Sequence, residues 1–389
     1  MKQFAGKVLL LFAALLCRSL FVAYQVLLNA VVPLALLLGA GWLIYMAAAG
    51  HAGARTALEA IAAGAVFLAV ISAYLLYHYK DGLLPQSAAS NWANRLIDRF
   101  IAWMGTLKYF SSPYCMVEDP GSYKIRGSDM RKLLDGSAPL LQPGDILLRG
   151  YDGYVDGELI RRTGGGQGNG KYFSHAAMYV GKLGEADRGI VARRLQVPDG
   201  QGGWRSATQQ EMEDVRNNSG FFHTGEQMII HSMGKGVFVE DILTFLRCDY
   251  LAVIRLPDEI SASRLSAAYR PVLREALTGD ALAIDEKLRA GQDVSRAEVV
   301  KAARDSALGK IGSCYDFQFD SVKKFNRFSC SEFVHYCYKS VHRYIGLETK
   351  EHSFMGLFAR NTITPPDIYN AAGTHQSGKK LEIKWEKTG

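Results

Sequence analysis

Residues 328–337 read FSCSEFVHYC, and this stretch predicts the start of a helix with a cysteine in its first turn. Ser329 and Glu332 have the spacing of a capping box, in which each side chain bonds the backbone N–H of the other. The helix start surrounds Cys330 with unpaired N–H groups at the positive end of the helix dipole, which favour a thiolate and can bind an oxyanion. Cys330 is therefore predicted to be a nucleophile. Its alternative, as for Cys337 two turns later, is a small buried core residue.

A thiolate nucleophile needs a base, usually a histidine that a third polar group orients. His335 lies on the same helix but is turned away from the cysteine. Better candidates lie on predicted strands, namely His175 in YFSHAAMYVG and His231 in MIIHS. Adjacent antiparallel strands would place these two rings side by side. His223, in a loop-like stretch, is a weaker third candidate.

Short apolar runs separated by Gly, Pro and polar turns follow residue 120, and they predict an α+β domain with an antiparallel sheet plus helices. Strands are predicted at 146–148, 173–180, 227–231 and 250–256, a helical turn at 239–248, and helices at 261–290 and 295–308. The domain is expected to cover residues 136–370. Residues 181–226 are interpreted as an insertion or lid, residues 257–300 as a second insertion, and residues 371–389 as a polar tail.

Charge is distributed very unevenly along the chain. Residues 1–79 hold only five of the 83 charged residues, which are 45 Lys or Arg and 38 Asp or Glu. Two uncharged runs of spanning length predict a membrane anchor over residues 1–84, with a hairpin of transmembrane helices at about 26–49 and 60–79. Residues 85–135 are expected to contain an amphipathic helix and a linker. That helix either lies in the membrane interface or packs on the soluble domain.

Basic residues flank the predicted hairpin on both sides, which by the positive-inside rule places both flanks in the cytoplasm. We therefore expect an integral protein of a bacterial inner membrane with a cytoplasmic catalytic domain. A cleaved signal is disfavoured because the residues before Arg18 lack the small side chains of a cleavage site. A third span over residues 8–28 would move the domain to the opposite side.

Several functional classes are excluded by composition and motifs. The net charge of +7 is dispersed among acids, without the basic stripe that nucleic acid binding requires. No phosphate-binding loop or dinucleotide fingerprint is present, so no nucleotide cofactor is expected. The six cysteines form no Cys-x-x-Cys pair, so no metal site is predicted, and in the cytoplasm they should be free thiols.

Five short motifs occur in a characteristic order: PGDILL, SHAAMYVG, IIHS, LGKIGSCYDFQF and SCSEFV, beginning at residues 143, 174, 229, 308 and 329. In this order they resemble the circularly permuted papain-like cysteine hydrolases, in the NlpC-like branch that includes YiiX/YaeF-type bacterial proteins and lecithin retinol acyltransferase-like enzymes. The resemblance covers residues 140–345. As in that branch, the histidine comes first and the cysteine last.

The resemblance implies Cys330 as the nucleophile, His175 as the base and His231 as the residue that orients the base. It also places Tyr315, and with it Tyr172, at the wall of a substrate pocket. The implied reaction is acyl transfer through a thioacyl-enzyme, without a cofactor.

With the predicted anchor, this leads us to expect a membrane-anchored hydrolase or acyltransferase that cleaves an amide or ester, preferably of a lipid. Its expected partners are the bilayer and an acyl or peptidyl substrate. The alternatives are a peptidase or amidase acting on peptide or cell-wall fragments, and a non-catalytic membrane scaffold.

Overall fold

A computed structural model describes residues 123–136, 139–152, 157, 160–161, 168–199, 203–262, 277–316, 319, 324–354, 358–373 and 381–388. All of them belong to the second of the chain's two units, Gln86–Gly389. The predicted transmembrane helices at 26–49 and 60–79, and most of the segment 85–135, lie outside the described residues. Among the helices that are described, none has the length and apolar character needed to cross a membrane.

The described residues form an α+β domain with a seven-stranded mixed sheet and seven α-helices. The helices are α1 (Gly127–Leu134), α2 (Gln209–Asn217), α3 (Ile242–Phe245), α4 (Asp280–Arg289), α5 (Arg296–Leu308), α6 (Cys330–Cys337) and α7 (Pro365–Ala371). The strands are β1 (Ile146–Gly150), β2 (His175–Leu183), β3 (Gln196–Pro198), β4 (Trp204–Ser206), β5 (Gly225–Met233), β6 (Gly236–Asp241), β7 (Tyr250–Arg255), β8 (Glu259–Ile260), β9 (Val294–Ser295), β10 (Cys314–Tyr315), β11 (Arg327–Phe328), β12 (Lys350–Phe354), β13 (Phe358–Thr362), β14 (Ala372–Gly373) and β15 (Leu381–Lys387).

The main sheet has the strand order β14-β15-β7-β1-β2-β5-β6. The predicted α+β class is confirmed, and the four predicted strands are present as β1, β2, β5 and β7. The sheet is mixed rather than purely antiparallel, because β14 pairs with β15 in parallel. Residues 239–248 are not one helical turn: β6 continues to Asp241, whose side chain accepts the backbone N–H of Leu243 and so begins α3 there.

The two predicted insertions have regular structure. Residues 181–226 contain the end of β2, a 3-10 helix at Glu185–Gly189, the β3–β4 hairpin and α2. The described part of residues 257–300 contains α4, the β8–β9 pair and the start of α5. Ser295 and Glu298 form the predicted capping box of α5.

The segment expected to be a polar tail, 371–389, contains two strands of the main sheet, β14 and β15. Strand β15 pairs with β7, and Leu381 is buried. Apolar Leu381 and Ile383 alternate with charged residues, but the strand is stabilised by backbone hydrogen bonds to residues about 130 positions earlier in the chain. That partner strand is not apparent from the local composition.

Both faces of the main sheet are covered. Ala176 and Met178 belong to a core that includes residues of α4, α5, α6 and α7. Ala177 and Tyr179, one position out of phase, pack with residues of α1 and α3. Because side chains alternate between the faces of a strand, odd-numbered residues of β2 up to Tyr179 face α3, and even-numbered residues face α6. The register shifts after Tyr179, and Leu183 belongs to the core with α6. This parity decides where the candidate histidines point.

The β5–β6 turn should tolerate no side chain at Gly236. Its φ is +104°, and a Cβ there would lie 2.1 Å from the Ser313 carbonyl oxygen. We expect Gly236→Ala to lower the free energy of unfolding by about 1–3 kcal/mol, as measured by urea titration. Gly184→Ala is the control, because a Cβ at Gly184 meets no atom within 4 Å. Equal stability of the two variants would contradict this prediction.

Candidate active site

Cys330 lies in the first turn of α6, as the sequence predicts. The Ser329 backbone N–H donates to the Glu332 carboxylate at 2.9 Å, and the Ser329 hydroxyl accepts the Glu332 N–H at 3.4 Å. This capping box fixes the helix start at Cys330. The side chain of Cys330 is buried, with 3% of its surface exposed.

The Cys330 thiol is surrounded by hydrogen-bond donors. Its sulfur lies 3.9 Å from the Ser331 hydroxyl, and the backbone N–H groups of Ala176 and Ser331 also interact with it. Burial raises the pKa of the Cys330 thiol, while these donors act in the opposite direction by favouring the thiolate. The resting cysteine is therefore a protonated thiol, and the donors around it would stabilise a negative charge on the sulfur.

His175 and His231 lie side by side, as expected for residues on adjacent antiparallel strands. His175 Nε2 is 2.8 Å from His231 Nδ1, and the ring centroids are 5.1 Å apart. Phe245 of α3 lies 5.9 Å from both rings, and Phe238 packs on His231. His231 is completely buried, whereas His175 is partly exposed. The pair thus has one member that a substrate can approach.

Both histidines are held neutral. Burial lowers the pKa of His175 well below 6.5, and the nearby Arg149 charge adds to the effect. Burial also lowers the pKa of His231 well below 6.5, assisted by the charges of His175, Arg149 and Lys235. A neutral imidazole can accept a proton, which is the role required of a base.

Two charged residues next to the histidines were missed in the sequence interpretation. Glu240 Oε2 lies 3.7 Å from His231 Nε2, and Arg149 Nη1 lies 3.5 Å from the same oxygen. Burial raises the pKa of Glu240, while Arg149 lowers it. An available signal was the pattern GVFVED, in which an acid continues the alternation of a strand that pairs with the His231 strand.

The Cys330 sulfur lies beside the residue that follows His175 in β2. His175 and His231 have the parity of the α3 face, whereas α6 packs on the other face. Pairing of β2 with β5 ends at Ala177 and His231, and the Cys330 sulfur lies at the backbone of Ala176, the residue after His175. Within the described residues, no hydrogen bond joins Cys330 to either histidine.

The two predicted pocket residues have different surroundings. Tyr315 pairs in register with Phe328, two residues before the nucleophile, so it lies beside that segment. Tyr172 instead packs its ring on Tyr250 of β7, with centroids 4.6 Å apart.

A buried acidic pair, Glu332 and Asp316, lies near Cys330. Burial raises the pKa of Glu332 to about 8, and the charge of Asp316 adds to the effect. Arg327 binds Asp316 at 2.8 Å, and the Thr362 hydroxyl donates to Glu332 at 2.8 Å. Burial thus shifts Glu332 toward its neutral form, and when it is charged it opposes thiolate formation by raising the pKa of the Cys330 thiol.

Three further predictions concerned the pairing of the cysteines, the position of His335 and the binding of a metal. Cys248, Cys314, Cys330 and Cys337 are free thiols. His335 is buried against His342, with ring centroids 4.8 Å apart. No group of three or more His, Cys, Asp or Glu side chains among the described residues has an arrangement that could hold a metal ion.

No protein-family model, curated protein or solved structure matches the chain.

Proposed function

We propose that this protein is a cysteine hydrolase or acyltransferase that cleaves an amide or ester bond through a thioacyl-enzyme. One observation carries the proposal. The Cys330 thiol lies at a helix N-terminus against the backbone N–H of Ala176, and the residue before Ala176 is His175, whose Nε2 is 2.8 Å from His231 Nδ1. Covalent catalysis by a cysteine uses these three kinds of group: a nucleophile, a base and a residue that orients the base.

The reaction begins with transfer of the Cys330 proton to His175. His175 Nε2 is engaged with His231, so Nδ1 is the nitrogen that accepts this proton. The sulfur then attacks the substrate carbonyl, and the N–H groups of Ala176 and Ser331 stabilise the oxyanion. His175 returns the proton to the leaving group, which departs as an amine or alcohol. Water or a second acceptor then attacks the thioester and releases the acyl group.

The raised pKa of Cys330 and the lowered pKa of His175 favour a neutral resting pair over a thiolate–imidazolium pair. His175 therefore acts as a general base at the moment of attack. Catalytic hydrogen bonds are often long in unliganded enzymes and shorten in the substrate complex. We expect the Cys330 to His175 contact to form in this way.

A lipid acyl group is the preferred substrate. The large apolar side chains that are exposed among the described residues include Met233 and Leu243. Met233 ends the strand that carries His231, and Leu243 lies in α3, whose Phe245 packs on both histidines. Residues 1–84 would anchor the enzyme in a bacterial inner membrane, with the catalytic domain in the cytoplasm and the bilayer as its partner.

The test compares the full-length protein with its Cys330→Ser variant. An iodoacetamide time course, followed by mass spectrometry of each cysteine, should label Cys330 about tenfold faster than the buried Cys337. Only the wild type should release fatty acid from acyl esters and carry a thioester adduct of the acyl mass on Cys330. Equal labelling of the two cysteines, with no adduct from any acyl ester or peptide amide, would reject the proposal. An adduct from peptide amides alone would identify a peptidase instead.

A further inference from the structure

Glu240 and Arg149 lie on the side of the His231 ring that faces away from His175. His231 Nδ1 faces His175 at 2.8 Å, and His231 Nε2 faces Glu240 Oε2 at 3.7 Å. In the described part of the chain, His231 Nε2, Glu240 Oε2 and Arg149 Nε are buried and make no hydrogen bond of normal geometry, although Arg149 Nη1 forms an ion pair with Glu240 Oε2 at 3.5 Å. Buried polar atoms are almost always paired, so unpaired atoms at one place call for an explanation.

The order of donors and acceptors along the row of Glu240, His231 and His175 fixes the histidine tautomers. An ionised carboxylate can only accept, so Glu240 favours the form of His231 that carries its proton on Nε2. Nδ1 of His231 is then an acceptor, and His175 must donate to it from Nε2. The lone pair of His175 is therefore on Nδ1, where the proposed reaction needs it.

We propose that Glu240 is a positioning residue for this reaction, which sets the tautomer of His231 and supplies the counter-charge when His175 accepts a proton. The inference rests on the proposed function. In the step concerned, the Cys330 Sγ–H bond breaks and a His175 Nδ1–H bond forms, so the sulfur becomes negative and the histidine pair positive. The 3.7 Å gap between His231 and Glu240 shortens to a charge-assisted hydrogen bond in that state.

The charges around His231 explain why a counter-charge is needed. Arg149 on β1 and Lys235 in the β5–β6 turn both disfavour a positive charge on His231, as does a charged His175. Lys235 is held in place, with its Nζ donating to the Gly220 carbonyl at 2.8 Å and lying 3.5 Å from the Phe238 ring centroid. Phe238 and Phe245 are apolar and offer no compensation. Glu240 is the acid that faces His231, and Arg149 holds it there.

The test measures two properties of the full-length Glu240→Gln variant. First, the pKa values of His175 and His231 are measured by NMR of histidine-labelled protein, in which single His→Asn variants assign the signals. Second, the rate of iodoacetamide labelling at Cys330 is followed from pH 5 to 9. Loss of the carboxylate charge should lower the histidine pKa values by about one unit and slow labelling at pH 7 about tenfold. Glu240→Asp, which retains the charge, should restore part of both.

Glu226→Gln is the matched control, because it removes one negative charge from the neighbouring strand β5 at an exposed ion pair with Lys182. It should change neither property. If Glu240→Gln does not fold, Arg149→Met/Glu240→Gln is compared with Arg149→Met, and the same differences are expected. If Glu240→Gln has the same histidine pKa values and labelling rates as Glu226→Gln, the role of Glu240 is overturned while the proposed function stands. Absence of selective Cys330 labelling in the wild type would instead reject the proposed function, and the NMR measurement would still test the coupling.

Discussion

Replacement of His175 by Ala should slow the acylation of Cys330 by about 10²–10⁴-fold, the usual contribution of a general base. The variant removes the group that accepts the thiol proton in the proposed reaction, while Ala176 and Ser331 still present their N–H groups to the sulfur. The rate is measured as the appearance of the thioester adduct by mass spectrometry under single-turnover conditions. Substrate binding should change little, because the effect acts on the chemical step.

His223→Ala is the control for this prediction. His223 is the third histidine that the sequence offered as a base, and it lies just before β5, outside the His175–His231 pair. Its replacement should leave the acylation rate within about twofold of the wild type, because surface substitutions seldom have large effects. A large loss of acylation rate in His223→Ala, with no loss in His175→Ala, would show that His175 is not the base.

The pH dependence of the wild type follows from the same chemistry. In the proposed reaction His175 must be neutral to accept a proton, and burial lowers its pKa well below 6.5. Activity should therefore persist as the pH falls through 6.5, and decline only below it, at the pKa of the buried pair. An acid limb centred at or above pH 6.5 would mean that the imidazole is solvated in the working enzyme.

Asp145→Ala should have the largest effect on stability, about 3–5 kcal/mol of unfolding free energy. Arg255 Nε and Nη2 each donate to an Asp145 carboxylate oxygen at 2.7 Å, and Asp145 and Arg255 are 1% and 8% exposed. The Gln142 N–H also donates to Asp145, at 2.8 Å. Without Asp145, a guanidinium that cannot lose its proton is left buried without its carboxylate partner, and it keeps the hydrogen bond that Nη2 donates to the Leu140 carbonyl. Urea unfolding of the full-length variant, followed by tryptophan fluorescence, measures the loss.

Asp258→Ala is the matched control, because Arg296 and Asp258 are also 2.8 Å apart but the aspartate side chain is 89% exposed. Its cost should be at most about 1 kcal/mol. Arg255→Met should cost less than Asp145→Ala at low pH. Burial already raises the pKa of Asp145 against the effect of Arg255, so an unpaired Asp145 can become neutral by taking a proton. Equal losses in Asp145→Ala and Asp258→Ala would show that the buried pair does not contribute as proposed.

Sequence patterns with short-range physical causes were predicted well. The capping box of α6 involves residues three positions apart, so the position of Cys330 at the helix start follows from local hydrogen bonding. Short apolar runs bounded by turn residues likewise predicted β1, β2, β5 and β7. Strand β15 was missed because the residues that stabilise it lie in β7, about 130 positions away.

The sequence by itself therefore determined the helix start that carries Cys330 and the two strands that carry His175 and His231. Only the tertiary structure decided that His175 Nε2 lies 2.8 Å from His231 Nδ1 and that Glu240 and Arg149 lie beside His231. It also decided that the Cys330 sulfur contacts the backbone N–H of Ala176. The reason is physical. Capping and strand alternation act over two to four residues, whereas strand register, the face on which a helix packs and the burial that shifts a pKa depend on segments far apart in the chain.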